Sequence, residues 1–181
     1  MEKDEELIIS YKSGNQESFK VLIERHSFSV YNMAAQMIGK ENAKDVSQEV
    51  FIKAWKNIRR FDSSKASFKT WLMKIARNST IDFLRKRKVY SFSEISKDEM
   101  DFGETLKDEE LLPPEVLQKL DDKNTLIDVL KKLNEDEREI LVLYYEEEMT
   151  FDEIGKVLEK PMNTVKSMHR RAIIKLRNLV Q

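Results

Sequence analysis

The sequence predicts an all-α protein of two small helical domains joined by an acidic linker, the second domain containing a helix-turn-helix. The 181 residues include only 4 Gly and 3 Pro, about 4% of the chain where ordinary usage is roughly 12%. Charged residues reach 36%, against a usual ~25%. Apolar residues recur at intervals of three and four in several segments, which is the pattern of amphipathic helices.

The first domain is predicted over residues 1–90. Apolar residues at helical spacing favour four helices there, separated by Gly14-Asn15, by Gly39 and by a loop at residues 61–64. The predicted helices are a short one at residues 7–11, a long one from Phe19 to Gly39, one at residues 43–58 with Asn42 as its N-cap, and one from Ser67 to about Arg87.

A change of composition predicts a linker at residues 91–116. Between Ser91 and Glu115 there are nine acidic residues against two basic ones, a local charge of −7. Gly103 and the pair Pro113-Pro114 interrupt any helical pattern, and the apolar residues are scattered. Such a segment cannot bury a core.

The second domain is predicted over residues 117–181. After a helix at residues 117–133, Asn134 is followed three residues later by Glu137, and Thr150 by Glu153. This spacing is that of the capping box, in which the two side chains satisfy the free N–H groups of a helix start. The boxes predict helices at 135–148 and 151–158, and a turn then leads to a last helix from Thr164.

The last helix has the division of faces that a helix-turn-helix requires. One face collects the apolar residues Val165, Met168, Ala172, Leu176 and Leu179, and the opposite one is basic. A recognition helix packs one side and offers cations to bases and phosphates in the major groove with the other. A solvated cationic face would explain the charges alone, but the capped preceding helix with Gly155 at the packing position favours DNA binding.

Two further surfaces are candidates for binding. Residues 69–88 carry seven basic side chains and one acidic one, a local charge of +6, close to aromatic rings; this combination is typical of single-stranded nucleic acid binding. The sequence leaves open whether the Trp71 ring packs in the protein core or stacks on a base. On the helix at 43–58, the face opposite the apolar stripe carries acidic and amide groups around one apolar residue, which indicates either a protein-docking surface or a solvated face.

Composition excludes several other kinds of protein. The net charge of −1 does not indicate any class of binding partner. The absence of cysteine excludes disulfides, thiolate metal sites and cysteine nucleophiles. His26 and His169 lack ligand spacing and are predicted to pack, so we expect no metal site, no cofactor and no enzyme. The charged N-terminus and the lack of a long apolar run predict a cytoplasmic protein without direct membrane insertion.

Three segments together resemble regions 2 and 4 of bacterial extracytoplasmic-function (ECF) sigma factors, the two-domain group of the sigma-70 family. They are DVSQEVFIKAW (45–55), FKTWLMKIARNSTIDFLRKRK (68–88) and LNEDEREILVLYYEEEMTFDEIGKVLEKPMNTVKSMHRRAIIKLR (133–177). The resemblance covers nearly the whole chain and depends on the order of the motifs. It implies an alternative sigma factor that binds RNA polymerase core, directs it to specific promoters, assists promoter opening and has an anti-sigma factor as partner.

The resemblance also implies roles for individual residues. The residues expected to contact core polymerase are Asp45, Gln48, Glu49 and Ile52. Those expected at the minus-ten element are Phe61, Trp71, Lys74, Asn78 and Arg85. Those expected at the minus-thirty-five element are Thr164, Lys166, Ser167, Arg170 and Arg171. The acidic linker would run through the polymerase towards the RNA exit channel.

The chain departs from the family pattern at three positions of the last helix. Asn163 stands where the family usually has glycine; because asparagine tolerates a left-handed turn, we expect the fold to survive this change. Met168 and Ile173 stand where arginines are usual, so two cationic contacts to DNA are expected to be missing.

One alternative function remains open from the residues themselves. In a one-component helix-turn-helix transcription regulator, residues 1–110 would sense a ligand or a partner. Such a sensor has no reason to combine the DxxQE motif, a basic helix flanked by aromatic residues and an acidic linker, whereas a promoter-opening subunit needs all three.

Overall fold

The computed structural model describes residues 2–90 and 132–179, and the chain divides into two compact units, residues 1–100 and 101–181. Regular structure in the described ranges is helical, which confirms the predicted all-α fold. The α-helices are α1 Asp4–Lys12, α2 Glu17–Ile38, α3 Lys40–Asn57, α4 Phe68–Tyr90, α5 Glu135–Leu141, α6 Phe151–Leu158 and α7 Met162–Leu179. The predicted linker at 91–116, and residues 117–131 of the helix predicted after it, lie outside the described residues, so the domain boundaries stay predictions.

The first unit is built around α2, which packs against α1, α3 and α4. The residues at helical spacing that predicted these helices form the core, and Leu22, Val30, Val50, Phe68 and Leu72 are buried. Each helix therefore presents the opposite, polar face to solvent, which is the face that carries the predicted binding residues.

Polar contacts join α1 to α2. The Asp4 carboxylate accepts a hydrogen bond from Arg25, and it lies 2.7 Å from Nε2 of His26. Burial raises the pKa of Asp4, but hydrogen bonding and the charges of His26 and Arg25 outweigh this effect and hold the pKa below its usual value. His26 is buried and packs its ring against Phe68, with 5.4 Å between centroids, which confirms its predicted packing role.

The junction of α2 and α3 differs from the prediction. Asn42 is not an N-cap, because α3 begins at Lys40, directly after Gly39. Gly39 has a φ of 78°, which glycine adopts much more easily than other residues do. This one residue therefore ends α2 and precedes the first residue of α3. The Asn42 amide instead donates to the Ile38 carbonyl, 3.4 Å away, at the end of α2.

The second unit confirms both predicted capping boxes. The Glu137 N–H donates to the Asn134 side chain at 2.8 Å, and the Glu153 N–H donates to Thr150 Oγ1 at 3.3 Å, with the glutamates bonding back to the cap N–H groups. The helix predicted at 135–148 is shorter as an α-helix. After Leu141 it widens into a π-turn over Val142–Glu146.

Helices α6 and α7 form the predicted helix-turn-helix. The chain leaves α6 through Glu159, which is left-handed with a φ of 55°, and the Lys160 N–H donates to the Gly155 carbonyl at 3.0 Å. A Cβ at position 155 would lie 2.7 Å from the Lys160 carbonyl oxygen, so glycine is required for this close approach. Helix α7 begins at Met162, two residues before the predicted start, because the Pro161 carbonyl already accepts the first helical hydrogen bonds.

None of the helices in the described ranges has the length and apolar character needed to cross a membrane.

Candidate functional site

The α3 acidic face, defined as Asp45, Gln48, Glu49 and Ile52, lies on the exposed side of α3. The three polar residues are exposed and Ile52 is 51% exposed, whereas Val46, Val50 and Ala54 on the other side of α3 are buried in the core. The four residues recur at intervals of three, one and three positions, so they share one side of the helix. A flat helical face of this composition can bind another protein by burying its apolar centre within a polar rim.

The charge of Glu49 is fixed by its neighbours. Its carboxylate lies 2.8 Å from Nζ of Lys53, which also donates to Ser79 Oγ on α4 at 3.0 Å. The hydrogen bond from Lys53 is the main cause of a lowered pKa for Glu49; slight burial opposes it, and the charges of Lys53 and Lys86 add to it. Glu49 is therefore negatively charged at neutral pH and paired with Lys53.

The structure adds Trp55 to the surroundings of this face. Its side chain is 53% exposed and lies one helical turn after Ile52. Two large exposed apolar side chains on one stretch of helix mark a protein interaction site more clearly than either does alone. The three-residue spacing from Ile52 is the signal by which the sequence could have identified Trp55.

The α4 basic surface comprises Trp71, Lys74, Asn78 and Arg85, at intervals of three, four and seven residues along one side of α4. Asn78 and Arg85 are exposed, whereas Trp71 and Lys74 are half-buried. The structure thus places these four predicted residues along one side of α4, with an exposed amide at Asn78 and an exposed guanidinium at Arg85.

Phe61 is buried, unlike the other residues predicted for the minus-ten element. Its ring is only 7% exposed and packs against Phe68 and Trp71, with centroids 5.8 and 5.3 Å away. A ring this buried has no free face on which a base can stack, and it supports Trp71 in this structure. A contact between Phe61 and the minus-ten element stays a prediction. Lys12 of α1 donates to the Phe61 carbonyl at 2.9 Å and holds this backbone in place. Because these are tertiary contacts, the sequence alone did not show that Phe61 is buried.

The α7 basic face consists of the exposed residues Thr164, Lys166, Ser167, Arg170 and Arg171. The opposite side of α7 is buried against α5 and α6. Every residue predicted from the sequence for this face is therefore accessible. The arrangement offers three cations and two hydroxyl groups from the first turns of a recognition helix, where bases and phosphates of a major groove can be reached.

Two of the three departures from the family pattern fall in the core. Met168 is 8% exposed and Ile173 is 9% exposed, both on the packing side of α7. These side chains fill the interior of the second unit and carry no charge, so the absence of two cationic DNA contacts stays a prediction. Asn163 does not adopt a left-handed conformation, because positive φ among non-glycine residues of the described ranges is confined to Glu148 and Glu159.

His169 adds no positive charge to the α7 basic face. It is half-buried among aromatic rings, with centroids 4.8 Å from Tyr144 and 5.2 Å from Phe151. Its Nε2 is buried without a hydrogen bond among the described residues, and burial lowers the pKa of the ring. Its predicted packing role is confirmed.

Comparison with known proteins gives the same two-part layout. Residues 22–89 match the family described as Sigma-70 region 2, and residues 129–178 match Sigma-70, region 4. The ECF RNA polymerase sigma factor SigW of Bacillus subtilis (strain 168) is 34% identical over 164 residues, covering 88% of this chain and 87% of the relative. The ECF RNA polymerase sigma-E factor of Escherichia coli (strain K12) is 28% identical, covering 98% and 94%.

Solved structures show the same fold. CnrH, solved in complex with the cytosolic domain of CnrY, gives a TM-score of 0.67 at 25% identity, covering 96% of this chain and 94% of CnrH. The sigma factor RpoE of Bartonella quintana, solved with the anti-sigma factor NepR, gives 0.68 at 20% identity, covering 91% and 97%.

Proposed function

Because this chain belongs to the ECF group of the sigma-70 family and is an alternative sigma factor of RNA polymerase, we propose which surfaces perform each step of initiation. The α3 acidic face binds core polymerase, the α4 basic surface binds the opened minus-ten element, and the α7 basic face reads the minus-thirty-five element. The observation that carries this assignment is that three chemically different faces are exposed on helices whose other sides form the core.

The α3 acidic face suits a basic partner surface. Glu49 is charged and paired with Lys53, and Ile52 and Trp55 supply apolar area beside it. Association steered by charge and completed by apolar burial is typical of specific protein interfaces. The resemblance to the family implies that the partner surface is the coiled coil of the largest polymerase subunits.

Charge reversal at Glu49 tests this step. Glu49→Lys places a cation in the middle of the face without touching the core, and we expect affinity for purified core polymerase to fall at least about tenfold, since close charge pairs couple by about 1.5–7 kcal/mol. Glu24→Lys reverses an exposed charge on α2 and serves as the matched control. Core binding by folded Glu49→Lys equal to that of Glu24→Lys would remove the assignment.

The α4 basic surface suits unpaired DNA. Lys74 and Arg85 supply cations for the backbone, Asn78 offers an exposed amide, and Trp71 presents a half-buried ring supported by Phe61. Base stacking on an aromatic ring is worth ~1–3 kcal/mol and does not depend on pairing. A surface of this kind gains binding energy only once the duplex is open, and so favours opening.

Opening can be separated from recruitment. With holoenzyme already formed, Asn78→Ala should slow the appearance of permanganate-reactive thymines in the minus-ten region by about fivefold, corresponding to ~1 kcal/mol of a lost hydrogen bond. Asp82→Asn, which removes an exposed acidic group from the same helix, should speed it. Equal opening rates for wild type and Asn78→Ala would exclude Asn78 from the DNA contact.

The α7 basic face suits duplex DNA. Lys166→Ala and Arg171→Ala should each reduce transcription from the cognate promoter about tenfold, within the range of one lost base contact. Lys175→Ala should matter little for promoter reading, because Lys175 Nζ is bound to Glu137 Oε2 at 3.1 Å and lies further along the helix. Full activity of folded Lys166→Ala and Arg171→Ala would show that this face does not read the promoter.

Both DNA surfaces should act together in one promoter. Two weak sites joined by a linker gain avidity only when their spacing fits. Changing the distance between the two promoter elements by several base pairs should therefore abolish transcription, and unchanged transcription would contradict two-site binding.

Further aspects of the function follow from the family. We propose that the protein works in the cytoplasm, performs no chemistry of its own, and is controlled by an anti-sigma factor. A protein of that class should inhibit transcription when added to the defined reaction of core polymerase, promoter and this chain. Transcription that continues at saturating amounts of a candidate that binds the chain would rule that candidate out as the inhibitor.

A further inference from the structure

Asn163 lies in the first turn of α7, on the side of the helix opposite the buried residues. The turn before the helix does not require an asparagine at this position. The left-handed residue of the helix-turn-helix is Glu159, with a φ of 55°, and Asn163 is the second residue of α7 with a φ that is not positive. Neither the backbone conformation nor the packing therefore explains an asparagine at this position.

The side chain of Asn163 is aligned with residues of the α7 basic face. Ser167, Arg170 and Ile174 follow it at four, seven and eleven positions, a spacing that places all four along one line of the helix. All four are exposed. Within the described ranges the Asn163 carboxamide makes no hydrogen bond, so both its donor and its acceptor are available to a ligand.

The two polar neighbours of Asn163 on this line, Ser167 and Arg170, each offer a ligand only one kind of hydrogen-bonding group. Its hydroxyl donates to the Asn163 carbonyl oxygen at 2.9 Å, so its proton is used within the helix and it offers only lone pairs outward. Arg170 offers only donors. Asn163 is thus the residue of this line that can donate and accept through one planar group.

We propose that Asn163 is a specificity-determining residue that reads an adenine in the minus-thirty-five element. This inference rests on the proposed function of α7. Adenine presents an acceptor, N7, beside a donor, the N6 amino group, at its major-groove edge, and a carboxamide matches this pair with two hydrogen bonds. The first turn of a recognition helix reaches base edges, and Asn163 lies in that turn.

The test is a transcription assay with holoenzyme and a template library randomised across the minus-thirty-five element, with transcripts counted by sequencing. Wild type should favour adenine at one position by about 5- to 150-fold over the other bases. Asn163→Ala should reduce this preference to about twofold or less while leaving the other positions unchanged. Asn163→Asp should shift the preference at that position towards cytosine, whose N4 amino group donates to a carboxylate.

The control is Asn178→Ala, which removes the same side chain from an exposed position at the far end of α7. It should leave the whole base profile unchanged. A wild-type profile for Asn163→Ala, or a uniform loss of activity at all positions, would overturn the inference. If Lys166→Ala and Arg171→Ala also left the base profile and the activity unchanged, both the inference about Asn163 and the proposed function of α7 would fail. If these two variants changed the profile or the activity and Asn163→Ala did not, only the inference about Asn163 would fail.

Discussion

Replacing Gly155 with alanine should loosen the helix-turn-helix. The new Cβ would lie 2.7 Å from the Lys160 carbonyl oxygen and 3.7 Å from the Met162 nitrogen, where ordinary contacts begin at 3.4 Å. Both neighbours are backbone atoms at the entry to α7, so the contact can be relieved only if the turn opens. That movement also strains the 3.0 Å hydrogen bond from the Lys160 N–H to the Gly155 carbonyl.

The net effect combines two terms of opposite sign. Overpacking of this kind costs about 2–3 kcal/mol when rigid atoms must move, and the better helix propensity of alanine returns about 1 kcal/mol. We therefore expect the second unit to lose about 1–2 kcal/mol of stability. Under native conditions this raises the opening equilibrium of α6 and α7 by roughly 5- to 30-fold.

Hydrogen exchange read by mass spectrometry measures this change in the full chain. Peptides from α6 and α7 should exchange about 5- to 30-fold faster in Gly155→Ala, and peptides from α2 and α3 should be unaffected. Lys156→Ala is the control, because it alters the next, exposed residue and loses only a surface ion pair with Asp152 at 2.8 Å, worth ~0.3–0.5 kcal/mol. Exchange in α6 and α7 as slow as in wild type would refute the argument from close approach.

Three further changes have defined outcomes. Glu148→Gly should raise the melting temperature of the second unit, because Glu148 has a φ of 51° and left-handed geometry costs other residues about 1–2 kcal/mol; an unchanged or lower value would contradict this. Asp4→Asn should lower stability at neutral pH by about 1–3 kcal/mol. Because the pKa of Asp4 is lowered in the folded protein, wild type should be more stable than Asp4→Asn above about pH 4 and should lose this difference as the pH falls further. The free energies of unfolding of the two proteins, measured in urea, should therefore become equal in acid; a difference that stays constant with pH would refute the role of the charge. Lys12→Met should slow promoter opening about fivefold without weakening core binding, and unchanged opening would show that the bond to Phe61 is dispensable.

The helices and their start signals were predictable because their determinants are local. Asn134 and Glu137 form a capping box from two side chains three residues apart, and Thr150 and Glu153 do the same. The accessible faces of α3 and α7 followed for a similar reason: a helix with a regular apolar stripe has only one remaining side to expose.

Features that depend on contacts distant in sequence were not predictable. The Phe61 ring is buried against Phe68 and Trp71 of α4, and the Phe61 carbonyl accepts a hydrogen bond from Lys12 of α1, 49 residues away. The family pattern marks Met168 as an absent arginine, but only packing within the second unit shows that this side chain lies in the core.

Glycine and asparagine gave ambiguous signals in the same way. Asn42 looks like an N-cap until Gly39 is seen to turn the chain by itself. Asn163 looks like a turn residue until the left-handed conformation is found at Glu159. In both cases the sequence identified a break between helices, but which residue adopts the unusual φ was decided by how the flanking helices pack.

The most direct test of the account is transcription by purified core polymerase on a library of genomic fragments, with and without this chain, and with start sites mapped. We predict start sites that require both proteins and that lie at a constant distance from two shared sequence elements. Fragments that this chain binds specifically without polymerase, but on which no start site depends on it, would contradict a sigma factor and favour a one-component helix-turn-helix regulator.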